Sequence, residues 1–259
     1  MHTDEIRSRL IESLRSALEV EPWALAAWLA GSDANGRTDR WSDIDLLVIV
    51  EDDAVERTFE TCRRAIQAHG SISLELRLPM PTWHGHDQAF WQLEGVPDWC
   101  MVDLVVIRRG STAPRFLEVE RHGVAEVLFD RQGLVRPEPL DRPAHEAKVR
   151  ERLHALVPRF RLLQHLVRKA VWRNDAPEAI DRYLTFTLRP LVELLRIRNV
   201  PDRFDFGLRY LRDDLPSAVW SEIEAISLPG SLDAVLRFQA TAERIFEREV
   251  VLAAVQWRT

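Results

Sequence analysis

The chain of 259 residues contains only two lysines, Lys148 and Lys169. Nothing before residue 148 can therefore supply the phosphate-gripping lysine of a Walker A loop or the strand lysine of a protein kinase, and both ATP chemistries are excluded for the first half. Cysteine is as scarce. Cys62 and Cys100 are too few for a metal cluster, and in a chain of this size they read as two buried thiols rather than a disulfide, which points to a reducing compartment. No apolar run approaches the length of a membrane span. The first residues are amphipathic and carry acids, without the apolar core of a signal peptide. The expectation is a cytoplasmic protein with no membrane partner. Positive charge is short in the first half: residues 1–140 hold 15 Arg and 24 acidic residues, a net of −9, against +3 for residues 141–259. A reader of duplex nucleic acid carries a basic stripe for the phosphates, so that class is disfavoured. The same charge suits metal ions or a cationic acceptor.

The apolar pattern divides the chain in two. Ile6, Leu10, Ile11, Leu14 and Leu18 recur at helical spacing over residues 3–19, and a short apolar run over residues 23–30, stopped by Gly31-Ser32, has the length of a buried strand. After a polar loop, residues 44–50 read as a β-branched, almost wholly apolar strand. Residues 53–69 predict a helix with Val55, Phe59, Cys62 and Ile66 inward, and residues 72–78 alternate with period two, the mark of a half-exposed strand. The Pro-, Gly- and Trp-rich stretch from 79 to 99 reads as a long loop with one helical turn near 88–93, and residues 101–107 as a third apolar strand. A short helix near 113–121 and a strand near 124–129 complete this half. From Arg142 the pattern is helical, with Val149, Leu153, Leu156, Phe160, Leu163, Val167 and Val171 on one stripe, a segment over 177–198 kinked at Pro190, and helices near 216–227 and 231–256. The expected architecture is an α/β (α+β) domain over residues 1–138, a mixed sheet flanked by helices, followed by an all-helical bundle over residues 139–259.

Three acids interrupt the apolar strands: Asp43 and Asp45 in Ser42-Asp43-Ile44-Asp45-Leu46, and Asp103 in Val102-Asp103-Leu104. Burying a lone carboxylate is costly. Asp43 and Asp45 share a face by their spacing, and a neighbouring strand could bring Asp103 to that face. Carboxylates so close raise one another's pKa unless a cation sits among them. A hard divalent ion, Mg²⁺ foremost, resolves the conflict and needs only one or two carboxylates plus substrate phosphates. Gly31-Ser32, ten residues before Asp43, adds a backbone that a phosphate can approach and a hydroxyl to hold it.

Gly31-Ser32, the ten-residue spacer, Asp43-Ile44-Asp45 and the later strand acid Asp103 resemble the signature of the polymerase-beta-type nucleotidyltransferase superfamily. Within it the chain looks most like the bacterial antibiotic (aminoglycoside and lincosamide) nucleotidyltransferases and their uncharacterised relatives, which also carry a helical C-terminal domain. The likeness is confined to residues 30–50 and 99–107. It implies that Gly31, Ser32 and Ser42 contact the nucleotide triphosphate, with Arg203 reaching it from the helical part, where Arg196, Arg198 and Arg209 also lie. It implies that Asp43 and Asp45 bind two Mg²⁺ ions, and that Asp103 completes the second ion's shell and helps deprotonate the acceptor hydroxyl. Glu75 on the 72–78 strand is the alternative base. The implied reaction is transfer of a nucleoside monophosphate, AMP from ATP or its counterpart from another NTP, to a hydroxyl of a small, aminoglycoside-like molecule with release of pyrophosphate. Protein AMPylation or antitoxin-like modification of a protein partner, and a degenerate nucleotide-binding module, are the rival readings. His84 and His86 read as a surface or substrate-contacting loop pair, since no further zinc ligand is near in sequence. Trp83, Trp91 and Trp99 read as core or as the lining of the acceptor pocket.

Overall fold

The computed structural model describes residues 3–257, and the chain divides into two compact units, residues 1–140 and 141–259. No helix among the described residues is long and apolar enough to cross a membrane.

The first unit is built on a six-stranded mixed sheet in the order β3-β4-β5-β2-β1-β6. The strands are β1 (Ala24–Leu29), β2 (Ile44–Val50), β3 (Ile72–Arg77), β4 (Asp87–Leu93), β5 (Val102–Arg108) and β6 (Glu126–Asp130). The central pair β2 and β5 runs parallel, and every other pairing is antiparallel. Strand alternation gives the sheet two different faces. The even residues of β2, Ile44, Leu46, Val48 and Val50, meet Leu10, Leu14 and Leu18 of α1 (Thr3–Glu19) and Phe59, Cys62 and Ile66 of α3 (Val55–Gln67) in the larger core. Both helix stripes are those that the spacing predicts. The odd residues Leu47 and Ile49 join Trp28, Val105, Ile107 and Leu117 in a smaller core on the opposite face, and Asp45 and Asp103 belong to this second face by parity.

Two expectations of the sequence fail in this unit. Residues 87–93 form a strand, β4, where a loop with a helical turn was expected. The buried acid that disguises it, Asp87, is paired with Arg108 at 2.7 Å and Arg77 at 3.4 Å, one from each neighbouring strand. The expected helix over 113–121 contracts to α4 (Val119–His122), and within the polar loop Gly31–Ala34 make a single helical turn, α2. Cys62 and Cys100 are both buried free thiols, and burial pushes the Cys62 thiol far above its usual range.

The second unit is all-helical, with α5 (Arg142–Trp172), α6 (Ala176–Tyr183), α7 (Arg189–Asn199), α8 (Leu211–Asp214), α9 (Ser217–Glu224) and α10 (Leu232–Trp257). Val149, Leu153, Leu156, Phe160 and Val167 of the predicted stripe are buried in its core, where Phe160 stacks on Phe246 with centroids 3.6 Å apart. The irregularity expected at Pro190 is a π-helical turn, Leu184–Leu188, just before it. Gln164 and Thr187 satisfy its neighbourhood: the Gln164 amide donates to the Phe186 carbonyl at 2.8 Å and accepts from the Thr187 hydroxyl at 2.7 Å.

Candidate active site

The site forms where β1 ends and β2 begins. The Ala30 N–H donates to the Asp45 carbonyl at 2.9 Å, continuing the β1–β2 ladder, and the chain then turns sharply at Gly31. Gly31 has φ +56°, and a Cβ built there would fall 1.7 Å from Asp45 Oδ2. Only glycine serves at this position, both for its backbone and because the Asp45 carboxylate occupies the space of a side chain. The turn is held from two sides. Asn35 Nδ2 donates to the Gly31 carbonyl at 2.7 Å and to the His122 carbonyl at 3.3 Å. Arg7 on α1 is ion-paired with Asp33 and donates to the Asp43 carbonyl at 3.1 Å. Ser32 is buried, and its hydroxyl has no hydrogen-bond partner among the described residues. A buried polar atom without a partner costs on the order of 1–3 kcal/mol, so its persistence in this turn marks a place for an external acceptor.

Asp45 and Asp103 are register partners across the parallel β2–β5 pair, with strand axes about 4.8 Å apart. Both are half-buried. Asp43, also half-buried, stands just ahead of β2; its negative charge, with burial, raises the Cys100 thiol pKa, which Arg7 opposes. Asp103 Oδ1 accepts from Gln88 Nε2 at 2.8 Å, and Gln88 Oε1 lies 2.9 Å from His84 Nε2. Beside the site Trp41 and Trp99, both exposed, meet edge to face with centroids 4.7 Å apart, so Trp99 is no part of the core, whereas Trp91 is fully buried. Among the described residues no group of three or more His, Cys, Asp or Glu side chains is gathered so as to hold a metal ion by itself.

The structure brings Gly31, Ser32, Asp45 and Asp103 to one end of one sheet face, and it gives Glu75, Ser42 and Arg203 partners of their own. Glu75 aligns with Trp91 and, through β4, with Val102, residues of the α1/α3 core. It therefore belongs to the other face, where it pairs with Arg63 of α3 at 2.6 Å, and it cannot serve as the base beside Asp45. Ser42 is engaged within its own turn, its hydroxyl accepting from the Asp39 N–H at 2.9 Å and donating to Asp39 Oδ1 at 3.2 Å. Arg203 is ion-paired with Asp214 at 3.2 Å inside the helical unit, so its charge is already matched there. His84 and His86 are buried rather than on the surface, with both ring nitrogens of His84 and Nε2 of His86 taken up by protein partners. Sequence reasoning missed Gln88, Arg7 and Asn35, whose roles depend on contacts distant in the chain.

Residues 8–78 match the family model described as the nucleotidyltransferase domain. The match includes Gly31, Ser32, Asp43 and Asp45 and stops before β4 and β5, so Gln88 and Asp103 lie outside it. No curated protein matches the chain. Solved structures similar to it include an aminoglycoside 6-adenyltransferase from Bacillus subtilis, 14% identical, covering 96% of this chain and 90% of that one with a TM-score of 0.40. A spectinomycin adenyltransferase from Enterococcus faecialis, solved with ATP and spectinomycin, is 12% identical over 96% of this chain and 98% of its own, with a TM-score of 0.35. The residues that match the family model all lie within the first unit.

Proposed function

We propose that the protein is a Mg²⁺-dependent nucleotidyltransferase that moves a nucleoside monophosphate, AMP from ATP, onto a hydroxyl of a small cationic acceptor and releases pyrophosphate. The observation that carries this reading is the turn at Gly31, where the missing Cβ lets the Asp45 carboxylate lie against the backbone next to Ser32, whose hydroxyl has no partner among the described residues. The Ser32 hydroxyl donates to a phosphate oxygen of the nucleotide. Asp45 and Asp103, with Asp43 at the mouth, supply hard oxygen ligands of the kind Mg²⁺ takes, and two carboxylates suffice when nucleotide phosphates complete the shell. Two ions bound there would stabilise the entering and leaving oxygens of an in-line displacement. Asp103 is the carboxylate that orients the acceptor hydroxyl and receives its proton. The net charge of −9 over residues 1–140 favours a cationic acceptor, and the two buried free thiols suit a reducing, cytoplasmic setting.

The test is incubation with α-labelled ATP, Mg²⁺ and a panel of aminoglycosides. Label is expected in a small molecule, and Asp45→Asn is expected to reduce transfer by about a thousandfold, the ~4 kcal/mol scale of a lost metal contact. Label appearing on protein from a lysate instead would overturn the small-molecule acceptor. Nucleotide binding without any transfer would overturn the enzyme.

A further inference from the structure

We propose that His84 and Gln88 are positioning residues that set the orientation of Asp103, an inference that rests on the assignment of Asp103 to the reaction site. The direction of the hydrogen bonds follows from a single proton that cannot move. The His86 backbone N–H lies 3.2 Å from His84 Nδ1, and an amide N–H only donates, so Nδ1 is the bare nitrogen and Nε2 carries the ring proton. His84 Nε2 then donates to Gln88 Oε1 at 2.9 Å. With its oxygen so engaged, the Gln88 amide presents its NH₂ group to Asp103 Oδ1 at 2.8 Å. The peptide proton of His86 thereby dictates which end of the Gln88 amide faces the carboxylate.

The chain is built into a rigid wall. His84, His86 and Gln88 are all buried. His86 Nε2 is anchored on the Pro114 carbonyl at 2.8 Å, and Thr82 donates to the His86 carbonyl at 2.6 Å. Phe116, itself at φ +60°, sets its ring about 6 Å from both imidazoles. A carboxylate that receives a fixed N–H at one oxygen has one rotamer to offer a cation, and outer partners of this kind are worth about 10- to 100-fold in metal affinity. Neither His84 nor Gln88 touches a reacting atom in this arrangement. Their contribution passes entirely through Asp103.

The experiment measures Mn²⁺ affinity by electron paramagnetic resonance in the presence of α,β-methylene-ATP, beside melting temperature and kcat and KM for ATP. Gln88→Leu keeps the volume and removes the donor to Asp103; it is expected to weaken Mn²⁺ binding at least about tenfold and to lower kcat more than it raises KM. His84→Phe is expected to act in the same direction, and His84→Gln, which restores a side-chain N–H, to recover most of the loss. Mn²⁺ affinity unchanged in both Gln88→Leu and His84→Phe, with Asp45→Asn abolishing it, would overturn the proposal and leave the reaction site standing. Should Asp45→Asn itself leave Mn²⁺ and nucleotide affinity unchanged, it is the reaction site that fails. A Gln88→Leu protein that melts far below the parent shifts the decision to the His84→Phe and His84→Gln pair, in which absence of recovery would overturn it.

Discussion

The two units bury polar groups in opposite ways. In the helical unit the networks around Arg196 and Gln164 close on themselves. Arg196 is fully buried and donates to the carbonyls of Gly207, at 2.7 Å, and Arg209 and to Asp214 at 2.8 Å, while Gln164, Thr187 and Gln239 satisfy one another around the π-helical turn. In the sheet unit the Ser32 hydroxyl is left without a partner among the described residues, and the His84–Gln88 chain leads to the half-buried Asp103. A closed network specifies a fold. An open one is aimed at something the chain does not itself supply. Among the arginines of residues 141–259, Arg196 and Arg203 are part of a closed network around Asp214.

The largest effect that separates the two behaviours is expected from Asp214→Ala. It strands the Arg196 guanidinium in the helical core and also unpairs Arg203, at a cost of about 3–5 kcal/mol. Hydrogen exchange read peptide by peptide should show the loss across residues 141–259, with the Gly31 turn keeping its protection. Loss of protection at the turn without any in the helical unit would contradict the contrast.

Gly31→Ala attacks the open side. The φ of +56° costs roughly 1–2 kcal/mol for a residue with a Cβ, and that Cβ meets Asp45 Oδ2 at 1.7 Å, so the carboxylate must swing away. A displacement on the order of 1 Å costs about a hundredfold in rate. Gly36→Ala is the control, because Gly36 has φ +63° with nothing within 4 Å of its Cβ. It should lose similar stability and keep the transfer activity. Equal activity losses in the two variants would mean that strain, and not the Asp45 contact, is what Gly31 relieves.

This pair also shows what a sequence can disclose. Gly31, Ser32 and the spaced Asp43 and Asp45 are legible because their relation is local: a strand end, a short loop and the next strand. The shared face of Asp45 and Asp103 depends on one register, and two apolar strands each carrying a single acid made that register a natural expectation. Glu75 could not be judged the same way, because its face is fixed by β4, and β4 was concealed by Asp87 and Gln88. Their burial makes sense only with Arg77 and Arg108 beside one and with Asp103 and His84 around the other. The ion pair of Arg203 was illegible for a similar reason: Asp214 is brought to it by the fold.

A smaller effect, opposite in sign between the units, is expected for the loss of one hydroxyl. Ser32→Ala removes a buried group that has no partner, so stability should stay level or rise by up to about 1 kcal/mol, while nucleotide affinity falls roughly tenfold for a lost phosphate hydrogen bond. Thr187→Val removes a hydroxyl that donates to Gln164 at 2.7 Å and should destabilise the helical unit by about 1–2 kcal/mol. Calorimetry with and without ATP analogue checks both. A Ser32→Ala protein less stable than the parent, with unchanged nucleotide affinity, would place that hydroxyl among the closed networks.

The smallest effect concerns protons. Burial, aided by the charge of Arg115, holds His86 below its ordinary 6.5 despite the Pro114 carbonyl and Asp87. The folded state therefore takes up a proton at lower pH than the unfolded state does, and His86 contributes full stability only above about pH 6.5, losing it as the pH falls toward the folded value. Because His86 anchors the wall behind Asp103, acidification should loosen residues 82–88 and 114–116 before it loosens α1 and α3. Hydrogen exchange at pH 7.5 and 5.5 reads this directly. His86→Gln, which keeps a donor for the Pro114 carbonyl, should flatten the pH dependence of that segment. A slope equally steep in His86→Gln would assign the acid sensitivity to the surface charges, and the wall would then be as proton-independent as the closed networks of the helical unit.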